Sequence, residues 1–202
     1  MLSVSEASEI AAGKPFAVLR ATSFSVNYSE AVHLRQGSVI ADLQVVDYEF
    51  PEAHDQSWDA DWLLLRLQLQ VGDQRWERTD PAVTTFELQG LTTWLDEVAE
   101  HAQVFGRWQQ GRLTTRLVFT EPNLSFEALS GHAAGAPVTL RLSLAAEFLP
   151  PFKAELSSTG LEDDPWEVWL DFGVDAARLR ELAGHLRGQL SRFPSRREGN
   201  GQ

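Results

Sequence analysis

The 202-residue chain contains no cysteine, which removes disulfides and thiolate metal sites from consideration. No apolar run approaches the roughly 18 to 20 residues of a membrane helix, so no membrane role is expected. Lysine is nearly missing: Lys14 and Lys153 stand among cations that are otherwise arginine, a pattern we read as coding bias of the source genome rather than as function. The opening residues, Met1 to Glu6, carry neither the basic start nor the apolar core of a secretory signal, and with the missing cysteine they give the expectation of a cytoplasmic protein. Catalytic signatures are absent too. His33, His54, His101, His132 and His185 show no HExxH spacing, and there is no Gly-x-Ser-x-Gly elbow, phosphate-binding loop or GxGxxG. Catalysis through a known motif is therefore not expected, and no cofactor is implied.

What is present is acid and apolar bulk. A formal charge of −12 argues against a nucleic-acid partner, because phosphate backbones are bound by clustered Lys and Arg. It suits a basic partner, although acidity also serves solubility alone. With 43% hydrophobic residues and seven Trp, the chain can bury the core of a single domain.

Periodicity sets the organisation. Residues 1–15 lack a period and end in Gly13, Lys14 and Pro15, which predicts a flexible N-terminal arm. Strands are expected at 16–28 and 38–50. From Leu63, strict alternation places Leu63, Leu65, Leu67, Leu69 and Val71 on one face, with Leu64, Arg66, Gln68 and Gln70 on the other. The Gly72-Asp73 turn then leads to a strand at 75–86 that Asp80 and Pro81 interrupt. Leu88, Leu91, Leu95, Val98, Ala99 and Ala102 predict an amphipathic helix over 87–102. Strands follow at 112–120, 124–129, 138–148 and 166–172, the last with Trp166, Val168, Leu170 and Phe172 on one face. Asp175 caps a final helix striped by Leu179, Leu182, Ala183, Leu186 and Leu190 and stopped by Pro194. The expected fold is α+β, a mostly antiparallel sheet of about six to eight strands with two amphipathic helices packed on it. The domain would span 16–194, and 195–202 would be a disordered tail.

Several side-chain groups invite chemistry. Asp55, Asp59 and Asp61 are close enough to hold a divalent cation, but they lack the Gly and distal Glu of a calcium loop. Asp at a turn more simply bonds its own backbone amides, with Trp58 and Trp62 clamping the turn on the sheet. Asp61, Glu121 and Glu147 could supply paired carboxylates for acid and base work, but Glu121 precedes a Pro in a turn and Glu147 lies on the more polar face of its strand, so turn and surface roles are the favoured reading. The Trp residues read first as core or interface. Trp169 faces opposite to Trp166 and Phe172, so it lies either under a second layer or on a binding surface.

Read in order, Phe50-Pro51, Trp58-Asp59-Ala60-Asp61-Trp62-Leu63, Phe86-Glu87-Leu88 with Leu91 and Trp94-Leu95, Thr120-Glu121-Pro122-Asn123-Leu124-Ser125-Phe126, and Glu147-Phe148-Leu149-Pro150-Pro151 resemble the WapI-type bacterial immunity proteins over residues 38–194. The resemblance implies direct binding and neutralisation of a cognate toxin domain, without catalysis or cofactor. It carries over no toxin-contact residues. An acidic inhibitor of a basic toxin would expose carboxylates, so Asp55, Asp59, Glu162, Asp163, Asp164 and Trp169 are the candidate partner contacts. A carboxylate or metal-dependent enzyme and a Trp-faced homodimer remain the alternatives.

Overall fold

The computed structural model describes residues 31–53, 58–111, 115–152, 156–158 and 166–197. The arm and the strand expected at 16–28 lie outside them. The Leu-rich alternation becomes β3 (Trp62–Val71), flanked by β2 (Val39–Tyr48) and β4 (Gln74–Thr84), and β1 (Val32–Gln36) completes an antiparallel sheet in the order β1-β2-β3-β4. Leu63, Leu65, Leu67 and Leu69 are all buried, as period-two alternation over one covered face requires. The opposite face pairs Arg66 with Gln44 and Gln68 with Glu77 across the strands. Tight turns at Gly37 and Gly72, both at φ 58°, set the register of two hairpins with a backbone that glycine adopts without strain. In β4, Val83 opposes Leu63 but Pro81 opposes Leu64, so Ala82 forms a bulge. An edge strand tolerates the proline because no ladder donor is needed on its outer side.

The first helix, α1 (Thr85–His101), begins two residues before the expected start at Glu87. A capping box sets that start: the Glu87 amide donates to Thr84 Oγ1 at 3.2 Å and the Thr84 amide to Glu87 Oε2 at 2.8 Å. A short helix not foreseen in the sequence, α2 (Phe105–Gln110), follows. It is held by Trp108, whose ring lies 5.0 Å from Phe105 and stacks 5.2 Å from His101.

The remaining strands are β5 (Arg116–Val118), β6 (Leu124–Ser130), β7 (Val138–Ala145), β8 (Ser157–Ser158) and β9 (Glu167–Val174). They make a second antiparallel sheet in the order β5-β6-β7-β9-β8. The fold is α+β, with the strands divided between two sheets. The division follows from the chain path, because α1 and α2 separate β4 from β5. The last helix, α3 (Ala176–Arg192), is capped by Asp175, which accepts the Arg178 amide at 2.8 Å, and it packs along α1.

One apolar cluster draws on both sheets and on α1 and α3. Polar side chains fix the sheets to one another around it. Glu87 Oε1 accepts from the Thr120 amide at 2.7 Å and from its hydroxyl at 2.8 Å, Asn123 Nδ2 donates to the Pro81 carbonyl at 2.9 Å, and the Gly173 amide donates to Gln36 Oε1 at 3.1 Å. Gln189 does a related job inside the core. Fully buried in the α3 stripe, its Oε1 accepts the Val45 amide at 2.7 Å, where β2 has run past the end of β1. A buried amide left without a partner there would cost about 1–3 kcal/mol.

Candidate partner interface

The ends of β2 and β4, the turn before β3 and the loop before β6 meet at one end of the molecule. The turn Trp58–Asp61 is a single 3-10 turn, with Trp62 buried behind it and Trp58 50% exposed. Trp62 therefore clamps the turn as expected, while Trp58 faces outward. Asp61, weighed above as a metal or acid-base residue, is 3% exposed and already engaged. Its Oδ1 accepts the Arg196 amide at 2.7 Å and its Oδ2 the Ser195 hydroxyl at 3.0 Å.

These bonds hold residues expected to begin a disordered tail. Ser195, Arg196 and Arg197 instead form an ordered strap across the turn, and residues 198–202 lie outside the described residues. One guanidinium nitrogen of Arg196 donates to the carbonyls of Phe50 and Ala53 at 2.9 and 3.0 Å, and its Cζ lies 3.5 Å from the Tyr48 ring centroid. The Tyr48 hydroxyl donates to the Pro194 carbonyl at 2.5 Å. Burial pushes the Tyr48 pKa up, against the opposing pull of Arg196. Arg197 sits 4.6 Å above Trp58. The strap is thus an acid-anchored, aromatic-backed contact rather than a solvated tail.

Beside it the carboxylates gather. Glu49, at the end of β2, has its pKa raised by burial first and then by the charges of Asp59, Glu121 and Asp80. Asp80 accepts from Arg78 Nε at 2.7 Å. Among the described residues Glu49, Asp59 and Glu121 make no ion pair. Phe50, 44% exposed, adjoins Glu49 in the chain, and the exposed Trp58 adjoins Asp59. Unneutralised carboxylates crowded beside exposed aromatic rings form a surface that favours a cation approaching from outside. Glu147, the third acid-base candidate, is exposed on the turn Ala146–Phe148. Among the described residues no group of three His, Asp or Glu is placed to hold a metal ion.

Trp169 lies elsewhere, on the outer face of the second sheet, opposite Ser143 in register. Alternation along β9 turns Val168, Leu170 and Phe172 inward and leaves Trp169 half-buried outside. Trp166 does not share the core face as expected: it precedes the strand and is 66% exposed. The Arg141 guanidinium lies 4.8 Å from the Trp169 ring and is forked onto Asp171 at 2.7 and 2.9 Å, with Glu127 at 3.9 Å. Hydrogen bonding to Asp171 raises the Arg141 pKa further. Arg116 likewise bridges Ser125, at 2.8 Å, and Glu167.

Of the candidate contacts, Asp59 falls within the acidic end and Trp169 on the outer face of the second sheet. Asp55, Glu162, Asp163 and Asp164 lie outside the described residues. Sequence reading missed Glu49, Asp80, Tyr48 and Arg196. Glu49 adjoins the Phe50-Pro51 step that was noted, but nothing local marks Arg196 as the ligand of a turn some 140 residues earlier.

These features define the class: a two-sheet α+β protein, its sheets stapled by Glu87 and Asn123, with an acidic, aromatic surface at one end. Residues 34–194 match the Immunity protein WapI-like family, and the chain belongs to that family. A search of curated proteins finds no match. No helix among the described residues is long and apolar enough to cross a membrane.

Proposed function

We propose that the protein neutralises a cognate toxin domain by binding it, without catalysis, in the cytoplasm of the cell that makes both. Family membership supports the general role. The observation that carries the proposed surface is the grouping of Glu49 with Asp59 and Glu121, which make no ion pair among the described residues, with exposed Phe50 and Trp58 next to Glu49 and Asp59 in the chain. Such a surface captures a basic enzyme quickly through its long-range field, and the aromatic rings supply the desolvated contacts that hold it. The partner is accordingly a basic toxin domain. Residues 31–197 would act as one α+β domain, with Asp59 a direct contact. Asp55, Glu162, Asp163, Asp164 and Trp169 are the further proposed contacts.

Co-expression with a cognate toxin domain tests the reading. Growth should be restored and the two proteins should co-purify in equal amounts. Reversing charge at Asp59 and Glu121 together should weaken the complex about 100-fold at low salt, since removing close charge pairs costs several kcal/mol. Toxicity that persists beside well-folded protein would reject the proposal.

A further inference from the structure

The strap shows what the acidic end can recognise. Arg196 occupies a slot with three walls: the carbonyls of Phe50 and Ala53, which take one guanidinium nitrogen, and the flat face of Tyr48. Both carbonyls face a donor, the ring faces a delocalised cation, and Glu49, on which the charge of Asp59 acts, sits between Tyr48 and Phe50 in the chain. Lysine fits this poorly, because a single ammonium cannot lie flat on the ring while donating to both carbonyls. Arg197 repeats the pattern more loosely over Trp58. The walls belong to β2 and the residues directly after it, while the occupant comes from beyond α3. Occupancy by Arg196 is therefore separable from the slot itself.

Resting on the neutralisation reading, we infer that this slot is an arginine receptor, and that Arg196 is a resident occupant which an arginine of the basic partner replaces. The partner's residue would enter from the acidic side, take the two carbonyls and stack on Tyr48, while Ser195 and the Arg196 amide keep Asp61 satisfied. Only the guanidinium has to leave, so the buried carboxylate is never stripped of its partners. A tethered occupant competes at an effective concentration on the order of millimolar. Weak cations are thereby excluded, and a partner presenting a well-oriented arginine is selected.

Binding of the capped peptide acetyl-Gly-Arg-Arg-Gly-amide to the full chain tests this. The Arg196→Ala protein should bind the peptide about tenfold more tightly than the natural chain, the size expected from removing a tethered competitor. The Lys-Lys counterpart should show no such gain, and the Tyr48 ring resonances should shift only with the arginine peptide. Arg196→Lys, which keeps the charge, should open the slot in the same way and serves if Arg196→Ala does not fold. Equal binding by natural and substituted chains, or equal gain with the lysine peptide, would overturn the inference. The probe contains no toxin, so failure here leaves the neutralisation proposal standing, and failed neutralisation leaves the slot standing.

Discussion

The outer face of the second sheet and the acidic end use the same residue types to opposite effect. On the sheet face, Arg141 is shared by Asp171 and Glu127 and covered by Trp169, while Arg116 joins Ser125 to Glu167. Each charge has an internal answer, which makes that face part of the architecture. At the acidic end, the charges of Asp59 and Glu121 act against that of Glu49, and the guanidinium of Arg196 is engaged by backbone carbonyls and a ring. Paired charges stabilise the fold that carries them; gathered like charges cost stability and are relieved by something from outside. Trp169 lies on the internally paired face, with the Arg141 guanidinium 4.8 Å from its ring.

The contrast can be broken at graded cost. The largest stability effect is expected at Asp61→Ala, which leaves the Arg196 amide and Ser195 hydroxyl without their acceptor and releases the strap. A loss of about 2–3 kcal/mol should appear in urea unfolding. Next comes Glu87→Ala, which removes the α1 capping box together with both bonds to Thr120 and should cost about 2 kcal/mol by the same measurement. Arg141→Ala should cost about 1–2 kcal/mol, the lower figure reflecting partial exposure of the pairs it breaks. The smallest change has the opposite sign. Glu49→Gln removes a repelled carboxylate and should stabilise the protein by a few tenths of a kcal/mol at neutral pH.

The pH dependence of Glu49 follows from its raised pKa. The folded state holds that proton more tightly than the unfolded chain, whose value lies near 4.5. Between 4.5 and the raised folded value, stability therefore declines as pH increases, and the penalty is fully present above both. Urea unfolding at a series of pH values should show this slope in the natural protein and its loss in Glu49→Gln.

Local pattern and long-range pairing were unequally legible. Alternation at Leu63, Leu65, Leu67 and Leu69 and the stripe of α3 revealed the core, because burial of one face imposes its period directly on sequence. The Glu87 and Asn123 positions were noted as parts of family-like motifs, and the structure explains them as staples between sheets. Gln189 and Arg196 were not legible. Each meets its partner across more than 140 residues, and a polar side chain in an apolar stripe or a basic tail carries no local mark of a distant carbonyl or amide. The acidic end was half visible for the same reason: Asp59 lies in the Trp-rich turn, but its grouping with Glu49, Asp80 and Glu121 is a product of the fold.

The most direct measurement is the affinity of the full chain for its toxin domain as a function of salt, in three forms: natural, Asp59→Arg with Glu121→Arg, and Arg141→Ala. The account predicts a steep loss of affinity with salt for the natural chain and for Arg141→Ala, and a weak, nearly flat response for the doubly reversed chain. A doubly reversed chain that kept full affinity and salt dependence, while Arg141→Ala lost both, would place the interface on the second sheet and contradict the account.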